Sequence, residues 1–282
     1  MNEILLLPRF HEQIRLHLVA NFLEIPVRPI VLGIFGRSGD GKSAQLAAAL
    51  EAFHVDPYRI SAGDLESGMA GEPGKLVART YSAASLAIQK ESPAALVIED
   101  IDTTVGEWEL NTGTVNHQQV IAELMHLADR PIDTLRNCPC RVPVFVTGNN
   151  LSRLYPPLRR HGRMHVMPWR PNAAELRTVV VGLFRGIATE QACEVLAGEF
   201  AEQPLAFFAQ VRQAVLEAGI GRQLSSVDPD MRVLLQRRHG RHHAFSQPRI
   251  TDHDLLRLAR KTRDDLDTGL QNFLAEPSGE LR

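Results

Sequence analysis

The stretch Ile30-Val-Leu-Gly-Ile-Phe-Gly36-Arg-Ser-Gly-Asp-Gly-Lys42-Ser43 decides how this chain is read. Its first half is a short apolar run of the kind that makes a buried strand. Its second half matches Gly-x-x-x-x-Gly-Lys-Ser, and Ala44 to Glu51 behind it favour helix. A strand, a glycine-rich loop and a helix in that order form a phosphate cradle, because glycine accepts the left-handed backbone that turns successive N–H groups toward an anion. Gly36, Ser38, Gly39, Asp40 and Gly41 are therefore expected to form the cradle. Lys42 is expected to reach the β and γ phosphates of a nucleotide, ATP or GTP, and Ser43 to hold Mg²⁺.

The bulk numbers narrow the classes around that loop. At 282 residues and 44 % hydrophobic content, the chain can bury the core of one large domain or two unequal ones. With 31 Lys plus Arg against 33 Asp plus Glu, the net charge of −2 gives no overall attraction to nucleic acid or anionic lipid. The run from Ile30 to Phe35 is too short to span a bilayer, and Met1 to Phe10 lacks a secretory signature, so no membrane partner and a cytoplasmic location are expected. Cys138, Cys140 and Cys193 are an odd set, expected to be free thiols. The single residue between Cys138 and Cys140 is too short a gap for the usual metal-ligand pair.

A helix is expected from Phe10 to Phe22, with apolar side chains at Ile14, Leu16, Leu18, Val19 and Phe22, ended by Pro26 and Pro29. From there to Pro168, apolar runs alternate with helical segments: Ile30 to Phe35, Arg59 to Ser61, Ala94 to Ile98, Val142 to Thr147 and Met164 to Met167. That alternation predicts an α/β domain, a mostly parallel sheet covered by helices. Pro168-Trp-Arg-Pro171 reads as a boundary, beyond which helical patterns take over at Ala173 to Arg185, Pro204 to Ala218 and Asp252 to Phe273. The expected organisation is an N-terminal helix and linker (1–29), a nucleotide-binding domain (30–169) and a small helical domain (170–282).

Acids collect where the second apolar run stops, in Leu96-Val-Ile-Glu-Asp-Ile-Asp102. Strands of an open α/β sheet deliver their C-terminal residues to the ligand crevice, so Glu99 is expected to bind Mg²⁺ and Asp100 to orient and deprotonate the attacking water. The more familiar order is Asp then Glu, which leaves the division of roles between these two open. The third run ends as Val144-Phe-Val-Thr-Gly-Asn149-Asn150, where the amide of Asn149 can sense the γ-phosphate, a task that Thr147 can share. Pro157-Leu-Arg-Arg-His-Gly-Arg163 gathers arginines suited to phosphate oxygens, either as a finger delivered to a neighbouring subunit or as a solvated basic face.

Together with Ser61-Ala-Gly-Asp-Leu-Glu-Ser-Gly-Met-Ala-Gly-Glu-Pro-Gly-Lys75, Thr114-Val-Asn116, Thr147-Gly-Asn-Asn-Leu-Ser-Arg-Leu-Tyr-Pro-Pro-Leu158 and Phe245-Ser-Gln-Pro-Arg-Ile250, these motifs make the chain resemble the AAA+ ATPases, and among them the rubisco activases. The resemblance runs from about Phe10 to Phe273 and implies an AAA+ P-loop nucleotide-binding domain followed by a helical lid, working with ATP and Mg²⁺. It implies that Asp100 is the hydrolytic base, Glu99 the first acid of the second nucleotide motif and Asn149 sensor 1. It further implies that Arg160 and Arg163 complete a neighbour's site in a hexameric ring. Arg212 falls near the sensor-2 arginines, although Ala214 stands where a second arginine is common in the family. Pore elements would be Glu66 to Glu72, with Met69, Ala70 and Gly71, and Val105 to Glu109, with Trp108. The implied activity is ATP-driven remodelling of rubisco, in which a client segment is pulled at the ring pore and inhibitory sugar phosphates leave. The chain reaches its phosphate loop by residue 36, so it is expected to match the AAA+ core only, without the plant-type N-terminal extension.

Three other readings compete. A related motor can act on a different protein assembly. A nucleic-acid-associated ATPase is suggested by Gln236-Arg-Arg-His-Gly-Arg-His-His243, against which the overall charge argues. A nucleotide-gated adaptor without useful turnover is suggested by the exchanged acids Glu99 and Asp100.

Overall fold

The sheet is built from β1 (Val31–Phe35), β2 (Asp56–Ile60), β3 (Ala94–Ile98), β4 (Val144–Gly148) and β5 (Met164–Pro168) in a computed structural model describing residues 5–25, 28–65, 71–104, 115–223 and 248–274. The strand order is β2-β3-β4-β1-β5, and every pairing is parallel. All residues of β1, β3 and β4 are buried, because helices cover both faces of a parallel sheet; these strands read as continuous apolar runs rather than as alternation. β2 lies at an edge, where Pro57 removes no interior ladder bond and polar residues face solvent. That is why only Arg59 to Ser61 gave a strand signal there.

α2 (Lys42–Ala52), α3 (Glu72–Gln89), α4 (Ile101–Thr104) and α5 (Val115–Asp129) complete the nucleotide domain. β1 sits between β4 and β5, so the chain leaves it at the C-terminal edge of the sheet beside the end of β4, the usual ligand crevice of such sheets.

The first helix, α1 (Pro8–Phe22), buries Phe10, Ile14, His17, Leu18 and Asn21. The expected apolar face differs in detail: Leu16 and Val19 are exposed, and the polar His17 and Asn21 lie inward. The reason is tertiary. The His17 ring packs edge-on against Phe145 at 5.0 Å, and Asn21 accepts a hydrogen bond from Arg141 Nε at 2.7 Å.

The described chain divides into two compact units, Met1–Arg170 and Pro171–Arg282. The second contains α6 (Ala173–Leu183), α7 (Glu190–Glu199), α8 (Leu205–Gln223) and α9 (Asp252–Leu274) around a core that includes Val180, Phe184, Leu196, Phe207, Phe208 and Leu255. Asn172 opens it with a capping box: its side chain accepts from Glu175 N while Glu175 accepts from Asn172 N. Cys138, Cys140 and Cys193 are unpaired thiols. Among the described residues no helix is long and apolar enough to cross a membrane.

Candidate active site

The loop between β1 and α2 has the backbone that its glycines foretell. Gly39 and Gly41 have φ of 80° and 77°, and Gly41 is the N-cap of α2. At Gly36 the constraint is contact: a Cβ there would lie 1.9 Å from the carbonyl oxygen of Trp169. Trp169 braces the loop from behind, its indole N–H donating to Asp40 O at 3.0 Å and its backbone N–H to Phe35 O at 2.7 Å. Phe10 meets the indole edge-on at 4.7 Å. Gln45 on α2 ties the same region to the N-terminal segment, accepting from Leu7 N and donating to Leu5 O.

Lys42, the first residue of α2, is buried and turns back over the loop. Its ammonium donates to the carbonyls of Gly36 at 2.8 Å and Arg37 at 3.0 Å, and to Asn149 Oδ1 at 2.9 Å. Burial lowers its pKa, while the charges of Asp100, Asp40 and Asp102 act in the opposite direction. The loop lysine, the acids after β3 and the amide after β4 are thus gathered at one edge of the sheet. Ser43 follows as the second residue of α2.

Asp102 is almost fully buried, and its Oδ2 accepts from the backbone N–H groups of Asn149 at 2.9 Å and Asn150 at 2.7 Å. Among the described residues, its Oδ1 and Asp40 Oδ2 are buried without a hydrogen-bond partner. Buried carboxylate oxygens are costly to leave unsatisfied, and they suit a site that takes up hydrated cations and water. Asp100 has a left-handed backbone, φ 48°, held by its N–H donating to Thr147 Oγ1 at 3.1 Å. Thr147 is buried and positions Asp100 through that hydroxyl, while the amides of Asn149 and Asn150 just beyond β4 are exposed.

Comparison with known proteins agrees with this geometry. A model of the ATPase family associated with various cellular activities (AAA) matches residues 32–171. Residues 32–171 form an AAA ATPase domain. The AAA domain is homologous to the chloroplast rubisco activases. The chain is 36 % identical over 262 residues to the ribulose bisphosphate carboxylase/oxygenase activase of Malus domestica, covering 88 % of this chain and 60 % of the relative. The Zea mays activase is 37 % identical over 260 residues, with coverages of 88 % and 60 %. That of Solanum pennellii is 35 % identical over 261 residues, with 88 % and 57 %. The chain therefore spans about three-fifths of the length of these relatives. An AAA ATPase domain is an ATP-hydrolysing one. The α/β P-loop domain and helical region expected from the sequence are the observed architecture. The cytoplasmic location is overturned: these relatives are described as chloroplastic. Lack of a secretory signature argues only against secretion and does not choose among other compartments.

Around the AAA domain's centre, other expected site residues are placed less simply. Glu99 receives a hydrogen bond from Arg59 Nη1 at 2.8 Å, and it is absent from the acids whose charge acts on Lys42. Arg163 makes a two-pronged contact within its own chain, Nε to Asp129 Oδ1 at 2.8 Å and Nη2 to Asp129 Oδ2 at 2.7 Å. Arg160, in contrast, is exposed on the turn leading to β5. Arg212 on α8 donates from Nε to Leu183 O at 2.9 Å. Gly71 caps α3 with φ 92°, and Glu72 pairs with Lys75 at 3.0 Å. Met69, Ala70 and Trp108 lie outside the described residues, as does the Gln236–His243 cluster.

Sequence reasoning did not single out Asp102, Trp169 or Gln45 as site residues. Asp102 carried a signal as the third acid of its cluster. In the sequence Trp169 marks only a boundary, and nothing there pairs it with Gly36.

Proposed function

We propose that this chain is an ATP-driven motor of the rubisco activase type, assembled as a hexameric ring. In this reading it pulls a segment of rubisco at the ring pore and releases bound inhibitory sugar phosphates. Its homology to activases over 88 % of the chain supports the client. The observation that carries the motor reading is the convergence of Lys42 and Asp102 on the Asn149 segment, which links the phosphate loop to the strand end that senses the γ-phosphate.

In hydrolysis, water attacks the γ-phosphorus, the bond from that phosphorus to the β–γ bridging oxygen breaks, and Asp100 accepts the proton of the water. Lys42 and the loop N–H groups hold the phosphates, and Asn149 aligns the water with the γ-phosphate. Ser43 offers the hard oxygen that Mg²⁺ prefers, and the ion would offset phosphate charge; Glu99 would hold it, directly or through water, on release from Arg59. Arg160 serves a neighbour's nucleotide, Arg212 senses nucleotide from the lid, and Met69, Ala70, Gly71 and Trp108 face the client.

The test is reactivation of purified, sugar-phosphate-inhibited rubisco with ATP, comparing the parent chain with Asp100→Asn. The parent restores carboxylation and Asp100→Asn does not, although it still binds ATP. Vigorous ATP hydrolysis without reactivation would refute the rubisco client and favour a motor for another protein assembly.

A further inference from the structure

The N-terminal edge of the sheet, opposite the phosphate loop, holds a second site. There the entries to β1, β4 and β5 and the end of α5 enclose a cavity of about 520 Å³, lined by Arg28, Arg141, His161 and His165. Among the described residues Asp129 is the acid in its lining, and both its oxygens are taken by Arg163. Arg141 is fixed in place, donating from Nε to Asn21 Oδ1 and from Nη2 to Arg28 O. Arg28 Nη1 is buried and has no hydrogen-bond partner among the described residues.

Such a cluster is unfavourable by itself. Burial, then the charges of Arg28 and His161, hold the His165 imidazole below its ordinary pKa, and burial also lowers that of Arg141. Two guanidinium groups beside two imidazoles, with the lining carboxylate of Asp129 committed to Arg163, are stabilised by an anion that can accept several hydrogen bonds. Guanidinium and imidazole donors match the tetrahedral oxygens of a phosphate group.

We propose that this cavity binds a small anion of the phosphate class, separate from the nucleotide. Arg28, Arg141 and His165 supply donors from its inner wall, and His161 from its rim. His161 and Gly162 belong to the turn closed by Arg163 N and Met164 N donating to Arg160 O at 3.1 and 3.4 Å. An anion held between Arg28 and His161 therefore orders the turn that carries Arg160. This makes the cavity an effector site for the inter-subunit contact, a consequence that rests on the proposed role of Arg160; the binding itself does not.

Pyrophosphate is the probe, titrated calorimetrically into the full chain at low ionic strength with the phosphate loop saturated by ADP. One equivalent beyond the ADP is expected, weakened about tenfold or more in Arg28→Gln and in His165→Gln. Lys42→Ala, measured without nucleotide, retains that equivalent. The His165 ring signal in an NMR titration moves with pyrophosphate in the parent and stays still in Arg28→Gln, and it settles the matter with His165→Gln if Arg28→Gln fails to fold. Absence of the extra equivalent in the parent, unchanged affinity in His165→Gln, or its loss in Lys42→Ala would overturn the proposal. None of these outcomes bears on rubisco reactivation, so the two readings fail independently.

Discussion

Asp102 holds Asn149 by its backbone, not by its side chain: one carboxylate oxygen accepts both the Asn149 and Asn150 N–H groups at 2.9 and 2.7 Å. The side chain of Asn149 is thereby left to Lys42. In the proposed reading, Asp102 acts on hydrolysis through the residue it positions. Hydrogen bonds to a charged acceptor contribute about 1.5–3 kcal/mol each. Asp102→Ala should lower kcat for ATP hydrolysis by about 10- to 100-fold while KM changes by less than about threefold. Asp102→Asn, which keeps an acceptor oxygen, should lose less. Steady-state kinetics checks this, and a KM effect without a kcat effect would contradict it.

Gly36 meets Trp169 where no side chain fits. The Cβ of an alanine would come within 1.9 Å of a backbone oxygen, which cannot rotate away as a side chain can. Gly36→Ala must displace either the loop or the strand end after β5. Overpacking of this kind costs about 1–3 kcal/mol or more. The expected result is a lower Tm and loss of nucleotide affinity together, measured by thermal melting with and without ATP. An unchanged melting curve would show that the Trp169 segment moves freely.

The chemistry of the site was more legible than its supports. The phosphate loop and the acids after β3 announce themselves locally, since a cradle needs glycines in series and a buried strand must end where its charges begin. The roles of Trp169 and Gln45 were not legible: each depends on a partner far away in sequence, Gly36 for one and Leu5 and Leu7 for the other. α1 misled for a related reason. Its apolar residues do not all face inward, because the wall it meets offers Arg141 as well as Phe145, and His17 and Asn21 answer them. β2 was only half visible, as an edge strand with one covered residue has little cause to be apolar throughout.

Arg160 and Arg163 lie on one turn and have different commitments. Arg163 is engaged by Asp129 within its own chain, whereas Arg160 is exposed. Arg163→Ala should lower Tm, and Asp129→Ala should do the same by releasing the same contact. Arg160→Ala should leave Tm and ATP affinity unchanged and abolish hydrolysis by the assembled protein, since an arginine delivered in trans contributes about 10³-fold or more. Mixing Arg160→Ala with Lys42→Ala subunits should restore part of the turnover. If Arg160→Ala alone hydrolyses normally, the finger is not Arg160.

His17 makes stability depend on pH. The imidazole is buried under α1, where desolvation first, then Arg28, His165 and Arg141, depress its pKa to about 3, opposed by a hydrogen bond to the backbone of Ile30. Asn21 lies beside it, with Nδ2 3.4 Å from Nδ1. The unfolded chain has an ordinary histidine of pKa about 6.5 there, so between the two values the unfolded state binds a proton that the folded state does not. The stabilisation is fully present above pH 6.5 or so and is lost as pH falls toward 3, by about 1.4 kcal/mol per pH unit. Urea unfolding at pH 7.5 and 5.5 should show a loss for the parent that exceeds the loss for His17→Gln by about 1.4 kcal/mol. His165, held below its ordinary range by burial, pulls in the same direction, so a smaller acid sensitivity remains in that variant. Equal losses in parent and variant would mean that His17 takes up its proton in the folded state, which requires α1 to separate from Phe145.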